Sequence, residues 1–116
     1  MRKVIGVLLV GVVPFVLGPT VAAQAHASHP SIVRAHVKIV NFKFKPGVLS
    51  IQKGTKVIWK NTTTSTTHTS TSDNGVWDSG PIAPGTKFHF VFKNDGTFTY
   101  HCSIHPFMTA EIDVSG

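Results

Sequence analysis

Gly96-Thr97-Phe98-Thr99-Tyr100-His101-Cys102-Ser103-Ile104-His105-Pro106-Phe107-Met108 changes character halfway along. Up to Cys102 it alternates, with Phe98, Tyr100 and Cys102 at every second position, the signature of a strand with one buried face. Asn94-Asp95-Gly96 before it is the strongest hairpin signal in the chain. After Cys102 the period is lost and Pro106 breaks the ladder, so His105 and Met108 fall on a loop. Alternation resumes at Ala110, Ile112 and Val114. The stretch therefore reads as strand, loop, strand, with a thiol turned into the core and an imidazole and a thioether within six residues of it.

That set of donors selects a metal. Thiolate, imidazole and a weak thioether, joined by a second imidazole, suit copper cycling between Cu(I) and Cu(II). Magnesium or calcium would call for carboxylates and carbonyls. Cys102 is the chain's single cysteine, so an internal disulfide framework is excluded. An occupying metal would also protect a lone thiol in an oxidising compartment. Cys102, His105 and Met108 leave one imidazole to find. His68 is the choice, because it opens a strand after a Thr-rich loop in the stretch that could cross the sandwich. His36, His89 and His101 fall on outward parity and read as solvated.

The rest of the chain repeats the two-residue period. Val33, Ala35, Val37 and Ile39 face one way, and Arg34, His36 and Lys38 the other. Phe42 and Phe44 continue with switched parity, as through a bulge, before Pro46-Gly47. Leu49 and Ile51 make a short strand ended by Lys53-Gly54. Lys56 to Asn61 is a strand with Val57 and Trp59 on one face. A strand is expected around His68 to Ser72, then a turn at Asp73-Asn74-Gly75. Phe88, Phe90 and Phe92 alternate with polar neighbours. Seven to eight short strands at this spacing predict an all-β, Greek-key β-sandwich. The core at residues 32–116 is modest but sufficient without disulfides.

Ahead of it lies an exported leader. Arg2 and Lys3 precede an almost wholly apolar Val4 to Leu17, then small residues with A-x-A sites near Ala23 to Ala27. Residues 1–25 read as a signal peptide and 26–31 as a short flexible lead-in. The rival is an uncleaved anchor, since Val4 to Ala23 is about long enough to cross a bilayer, although Pro14, Gly18 and Pro19 interrupt it. Membrane association is expected only in that case. Cleavage after Ala23 or Ala25 would place His26, with His29 near it, where a terminal amine and imidazole could take up Cu(II).

Of 11 Lys and Arg, nine follow the leader, against five Asp and Glu. A net charge of about +4 suits an acidic partner surface. The lysines look dispersed along the chain and no nucleic-acid motif accompanies them.

Tyr100 to Met108 resembles the ligand loop of amicyanin, with Pro106-Phe107 between His and Met. Val57-Ile58-Trp59-Lys60-Asn61 ahead of His68, and Gly96 to Tyr100 ahead of Cys102, resemble the corresponding stretches of the cupredoxins, on their plastocyanin and amicyanin side. The likeness runs from about Val37 to Val114. It implies an eight-stranded Greek-key sandwich holding one type 1 (blue) copper ion, with His68, Cys102 and His105 equatorial and Met108 axial. It implies a monomeric, periplasmic or extracellular one-electron carrier between redox proteins such as a cytochrome, dehydrogenase or oxidase. Copper delivery on the same fold is the alternative. An enzyme is disfavoured because Met108 leaves no open position for substrate. One departure stands out. Many relatives carry Asn after the first histidine, bonded to the cysteine loop, where this chain has Thr69.

Overall fold

The computed structural model describes residues 6, 10–23 and 28–116. The leader's charged start and residues 24–27, with the expected cleavage sites and His26, lie outside the described residues. Residues 10–23 carry no regular secondary structure, and no helix among the described residues is long and apolar enough to cross a membrane.

Eight strands follow: β1 (Arg34–Val40), β2 (Lys43–Lys45), β3 (Val48–Gln52), β4 (Lys56–Asn61), β5 (Thr71–Ser72), β6 (Lys87–Val91), β7 (Gly96–His101) and β8 (Thr109–Ser115). They form two four-stranded sheets, ordered β2-β1-β4-β6 and β3-β8-β7-β5. β1 runs parallel to β4 and β3 parallel to β8, while the other pairs are antiparallel. The expected all-β sandwich is what forms.

The two-residue period sets the layers. Val37 and Ile39 from β1, Val57 and Trp59 from β4, Tyr100 from β7, and Ile112 and Val114 from β8 all turn inward and are buried. Burying side chains of this size contributes about 1.5–3 kcal/mol each. Trp59 lies at the centre, its ring 5.7 Å from those of Trp77, Phe88 and Tyr100. The turn at Lys53-Gly54 needs a left-handed residue, and Gly54 supplies φ 91°.

Three expectations are corrected. Phe42 does not follow a bulge: β1 stops at Val40, Asn41-Phe42 is a two-residue turn, and β2 folds back with Val40 opposite Lys43. The reversal puts Phe44 in the core and leaves Phe42 half exposed at the sandwich end. Asn94-Asp95-Gly96 does reverse the chain, but it joins the two sheets and makes no hairpin. β6 pairs with β4, and β7 with β8 and β5. Phe92 and Phe98 flank that turn and pack with ring centroids 5.5 Å apart, so core packing fixes the crossover. The strand expected over His68 to Ser72 shrinks to Thr71–Ser72, with His68 held by an isolated bridge to Ile82.

Candidate metal centre

The centre forms where three connections meet at one end of the sandwich. The segment between β4 and β5 crosses from one sheet to the other and carries His68. Asn61, fully buried at the end of β4, organises it. Its amide nitrogen donates to the Thr66 and Ile82 carbonyls at 2.8 and 2.9 Å, and its Oδ1 accepts from the Thr63 N–H and hydroxyl at 3.0 and 2.7 Å. A buried amide satisfied on both ends is a rigid staple. His68 and Ile82 then exchange backbone hydrogen bonds of 3.3 and 2.7 Å.

The loop after β7 carries the other donors. The Cys102 N–H donates to the Met108 carbonyl at 3.0 Å, and the Met108 N–H to the His105 carbonyl at 2.9 Å. These two bonds close the seven-residue loop on itself. Cys102 is 0 % and Met108 2 % exposed. His105 is part-exposed, so of the three donors on this loop it is the one that meets solvent.

His68 Nδ1 lies 3.2 Å from His105 Nδ1, and Cys102 Sγ lies 3.8 and 3.7 Å from these two nitrogens. This is the single group of three or more metal-binding His, Cys or carboxylate side chains among the described residues. A first-row ion about 2.0 Å from each nitrogen and about 2.3 Å from the sulfur, in one plane with them, would hold its donors about 3.5 and 3.7 Å apart. The observed nitrogen–sulfur edges of 3.8 and 3.7 Å match, and the 3.2 Å nitrogen–nitrogen edge is about 0.3 Å shorter. Its composition, two imidazoles and a thiolate with a buried methionine on the same loop, fits copper better than a hard ion.

Neighbouring groups orient the donors. The His68 Nε2–H donates to Asn41 Oδ1 at 3.3 Å, leaving the Nδ1 lone pair turned into the cluster. Burial, and then the nearby His105, hold His68 below its ordinary pKa, which keeps the imidazole neutral and able to ligate. The Thr69 N–H donates to Cys102 Sγ at 3.3 Å. The Thr69 hydroxyl accepts from the Ser103 N–H at 2.7 Å and bonds the Ser103 and Thr71 hydroxyls at 3.0 and 2.9 Å. Thr69 thus ties the His68 segment to the cysteine loop.

Sequence reasoning missed Asn41 and Phe42. The Phe42 ring stands edge-on to His105 and His68, with centroids 5.0 and 6.0 Å away, and lies 5.8 Å from Phe107. The available signal was the parity break after Asn41, which marks a turn at the site end of the sheet. The other histidines among the described residues stay apart from the cluster. His36 and His89 flank Ile58 on the outer face of the first sheet, and His29 is exposed upstream of β1. His101 is outward as expected, but its ring pairs with Asp73 and is not merely solvated.

The profile of the cupredoxin-like domain matches residues 8–114. No curated protein sequence matches the chain. Among solved structures, it is 32% identical to a purple cupredoxin from Nitrosopumilus maritimus, covering 70% of this chain and 99% of that one with a TM-score of 0.64. It is 25% identical to an oxidised amicyanin variant, covering 72% and 82% with a TM-score of 0.65. A copper-containing nitrite reductase from Thermus scotoductus is 28% identical with a TM-score of 0.68; 83% of this chain is covered, but it spans only 25% of the reductase. A shared fold, a profile match over nearly the whole chain and a matching donor cluster lead to one conclusion: the chain belongs to the cupredoxin-like domain family and is a cupredoxin of the amicyanin and plastocyanin type.

Proposed function

We propose that this protein is an exported one-electron carrier that holds a single copper ion through His68, Cys102 and His105, with Met108 as the weak axial donor. The observation that carries the reading is the donor triangle, with its 3.2 Å nitrogen–nitrogen and 3.7–3.8 Å nitrogen–sulfur edges, at the buried end of a rigid sandwich. When bound, copper supplies a Cu(I)/Cu(II) couple. The protein's part is to keep the donors where they are in both states. Cys102 and His68 cannot swing, because each is fully buried and bonded to a neighbouring loop. Met108, buried on the same loop, would be the weak thioether donor to the ion. His105 offers its ring edge to a redox protein, with Pro106, Phe107 and Phe42 forming an apolar rim around it. Phe107 is 70% and Phe42 48% exposed, the kind of surface that desolvates on contact and releases readily.

The leader pattern, and a lone thiol protected inside a metal cluster, support placement outside the cytoplasm. The leader pattern also supports residues 1–25 as signal, 26–31 as lead-in and 32–116 as the working domain. Catalysis is not part of the reading. The reductase it resembles is matched over a quarter of its length, and Met108 as the fourth donor would leave no open position for a substrate.

Copper-loaded protein should show an intense absorption band toward the red and narrow copper hyperfine splitting in EPR, both abolished by Cys102→Ser. A weak, pale Cu(II) spectrum would overturn the site assignment, and rapid surrender of copper to a chelator would favour delivery over electron transfer. Phe107→Glu should leave the band intact and slow bimolecular electron exchange with the physiological partner at least tenfold. An unchanged rate would remove the His105 rim as the docking surface.

A further inference from the structure

The basic residues that look dispersed in sequence are gathered in space. On the first sheet the outward positions of β1 are Arg34, His36, Lys38 and Val40, and of β4 Lys56, Ile58 and Lys60. β2 presents Lys43 and Lys45, and β6 presents Lys87, His89 and Val91. The registers align these into rows. Lys45 is opposite Lys38, Lys38 opposite Lys60, and Lys60 opposite Lys87, so one lysine from every strand lines up across the sheet. Arg34 and Lys56 form a second row. Seven of the nine basic residues beyond the leader lie on this one face, and none of the five acids does. Glu111 and Asp113 are on β8 of the other sheet, Asp73 and Asp78 flank β5, and Asp95 pairs with Lys53 at 3.6 Å in a turn.

General solubility does not account for this. A solubilising surface intersperses both signs, and edge protection needs lysine on β2 and β6 only. Here the central strands β1 and β4 carry it too, and like charges directly opposite each other weaken a sheet. The concavities lined by Phe90 to Asn94, Val76 and Phe98, and by Gly47, Val48 and Thr109 to Glu111, include none of the seven cations. The face is therefore a broad spread of positive charge set apart from both of those concavities. Strands about 4.8 Å apart rising about 3.3 Å per residue give it a width of about 15 Å and a length of about 20 Å.

We infer that this face is a docking surface for an anionic lipid bilayer, which holds the carrier reversibly against the membrane. A membrane surface matches a broad, sequence-indifferent spread of positive charge. A protein partner seeking the electron must instead reach His105 at the strand ends.

The test is co-sedimentation of the copper-loaded chain from Ser28 onward with vesicles of phosphatidylcholine alone or with about a third phosphatidylglycerol. This piece holds both sheets and every core side chain, and the match to the Nitrosopumilus cupredoxin takes in 99% of that chain from 70% of this one. The full-length chain is run in parallel. Binding is expected only with phosphatidylglycerol, and it should vanish at about 0.5 M salt, where screening shortens the reach of each charge to about 4 Å. Each lysine near such a surface is worth about fivefold in partitioning. Lys38→Gln, Lys45→Gln, Lys60→Gln and Lys87→Gln together should lower it several hundredfold, with the visible spectrum unchanged. Lys53→Gln with Lys93→Gln, off the face, should lower it less than tenfold. Equal binding to both vesicle types, or a quadruple variant that binds like the parent, overturns the inference. So does capture by polyglutamate without capture by vesicles, which would assign the face to an acidic protein. None of these outcomes bears on the copper site.

Discussion

Replacing Thr69 by Val tests whether one hydroxyl holds the two ligand-bearing connections together. The side chain is 2% exposed, and valine keeps its shape while removing Oγ1. Lost with the oxygen are the Ser103 N–H bond at 2.7 Å and the hydroxyl contacts to Ser103 and Thr71 at 3.0 and 2.9 Å. Ser103 is exposed and can turn to water, and Thr71 keeps Asp78 at 3.3 Å. The cost is therefore the net worth of one to two hydrogen bonds, about 1–2 kcal/mol, rather than that of several stranded groups. For a domain of this size each kcal/mol moves the midpoint about 4–8 °C, so the metal-free protein should melt about 5–15 °C lower. The Thr69 N–H to Cys102 Sγ survives, since it is backbone, but the loop presenting the sulfur loses its tether. Copper affinity should fall about 10- to 100-fold, the usual effect of removing a group that orients ligands. Thermal unfolding by circular dichroism and competition with a Cu(I) chelator measure the two effects. Thr71→Val, which leaves the Thr69–Ser103 link in place, should stay within about 0.5 kcal/mol of the parent, and Thr69→Ser should restore most of both losses. A Thr69→Val protein that melts within about 2 °C of the parent and holds copper as tightly would refute the tether.

Asn41→Ala removes the acceptor of the His68 Nε2–H, and should weaken copper binding about tenfold, the lower end of the range because Asn41 is exposed and water can replace it; competition titration reads the change. Tyr100→Phe should be neutral or raise the denaturant midpoint, because the Tyr100 hydroxyl is buried without a hydrogen-bond partner, although the Trp59 indole lies beside it, and burial pushes its pKa up. A loss above about 1 kcal/mol would mean the hydroxyl is well bonded after all. Asp73 is held below the usual carboxylate range by hydrogen bonds from Thr99 and then His101. Its contribution is present above the unfolded carboxylate pKa of about 3.9 and lost as pH falls through the lower folded value. Urea unfolding of the metal-free protein should show Asp73→Asn less stable near neutrality, with the gap closing below about pH 4. A gap that persists at pH 2 would exclude the linkage.

The sequence made legible whatever depended on local period. β1, β4, β7 and β8 each alternate cleanly because one face packs on the core and the other on water, and that parity sends Cys102 inward. Cys102, His105 and Met108 sit on one short loop, so their proximity needs no long-range information. His68 was reachable because few histidines remained and a Thr-rich crossing segment led to it. What stayed hidden was set by distant partners. Asn94-Asp95-Gly96 encodes a reversal, but nothing local says that β6 will pair with β4 instead of β7. The segment around His68 looks like a strand from its β-branched residues, yet its hydrogen bonds go to Asn61, Ile82 and Ser79. Asn41 and the lysine plane became visible only once register was fixed, since Lys38, Lys45, Lys60 and Lys87 stand on four separate strands.

The two exposed features lie at right angles, and this constrains how the carrier works. His105 opens at the ends of the strands, while the lysine plane is the outer face of the first sheet, parallel to its hydrogen-bonding plane and forming the flank of the sandwich. Lys43 begins that plane immediately after Phe42, which itself touches His105, so flank and exit edge meet along a corner. With its flank on an anionic bilayer, the molecule would point His105 along the membrane, not into it or away from it. A partner embedded in the same membrane would then be met sideways by a carrier that needs neither to detach nor to turn over. Docking through the small apolar rim can stay weak and fast, because the bilayer supplies the residence time. High salt should then slow electron exchange with a membrane-bound partner far more than with a soluble mediator. If both rates respond equally to salt, the two surfaces do not work together.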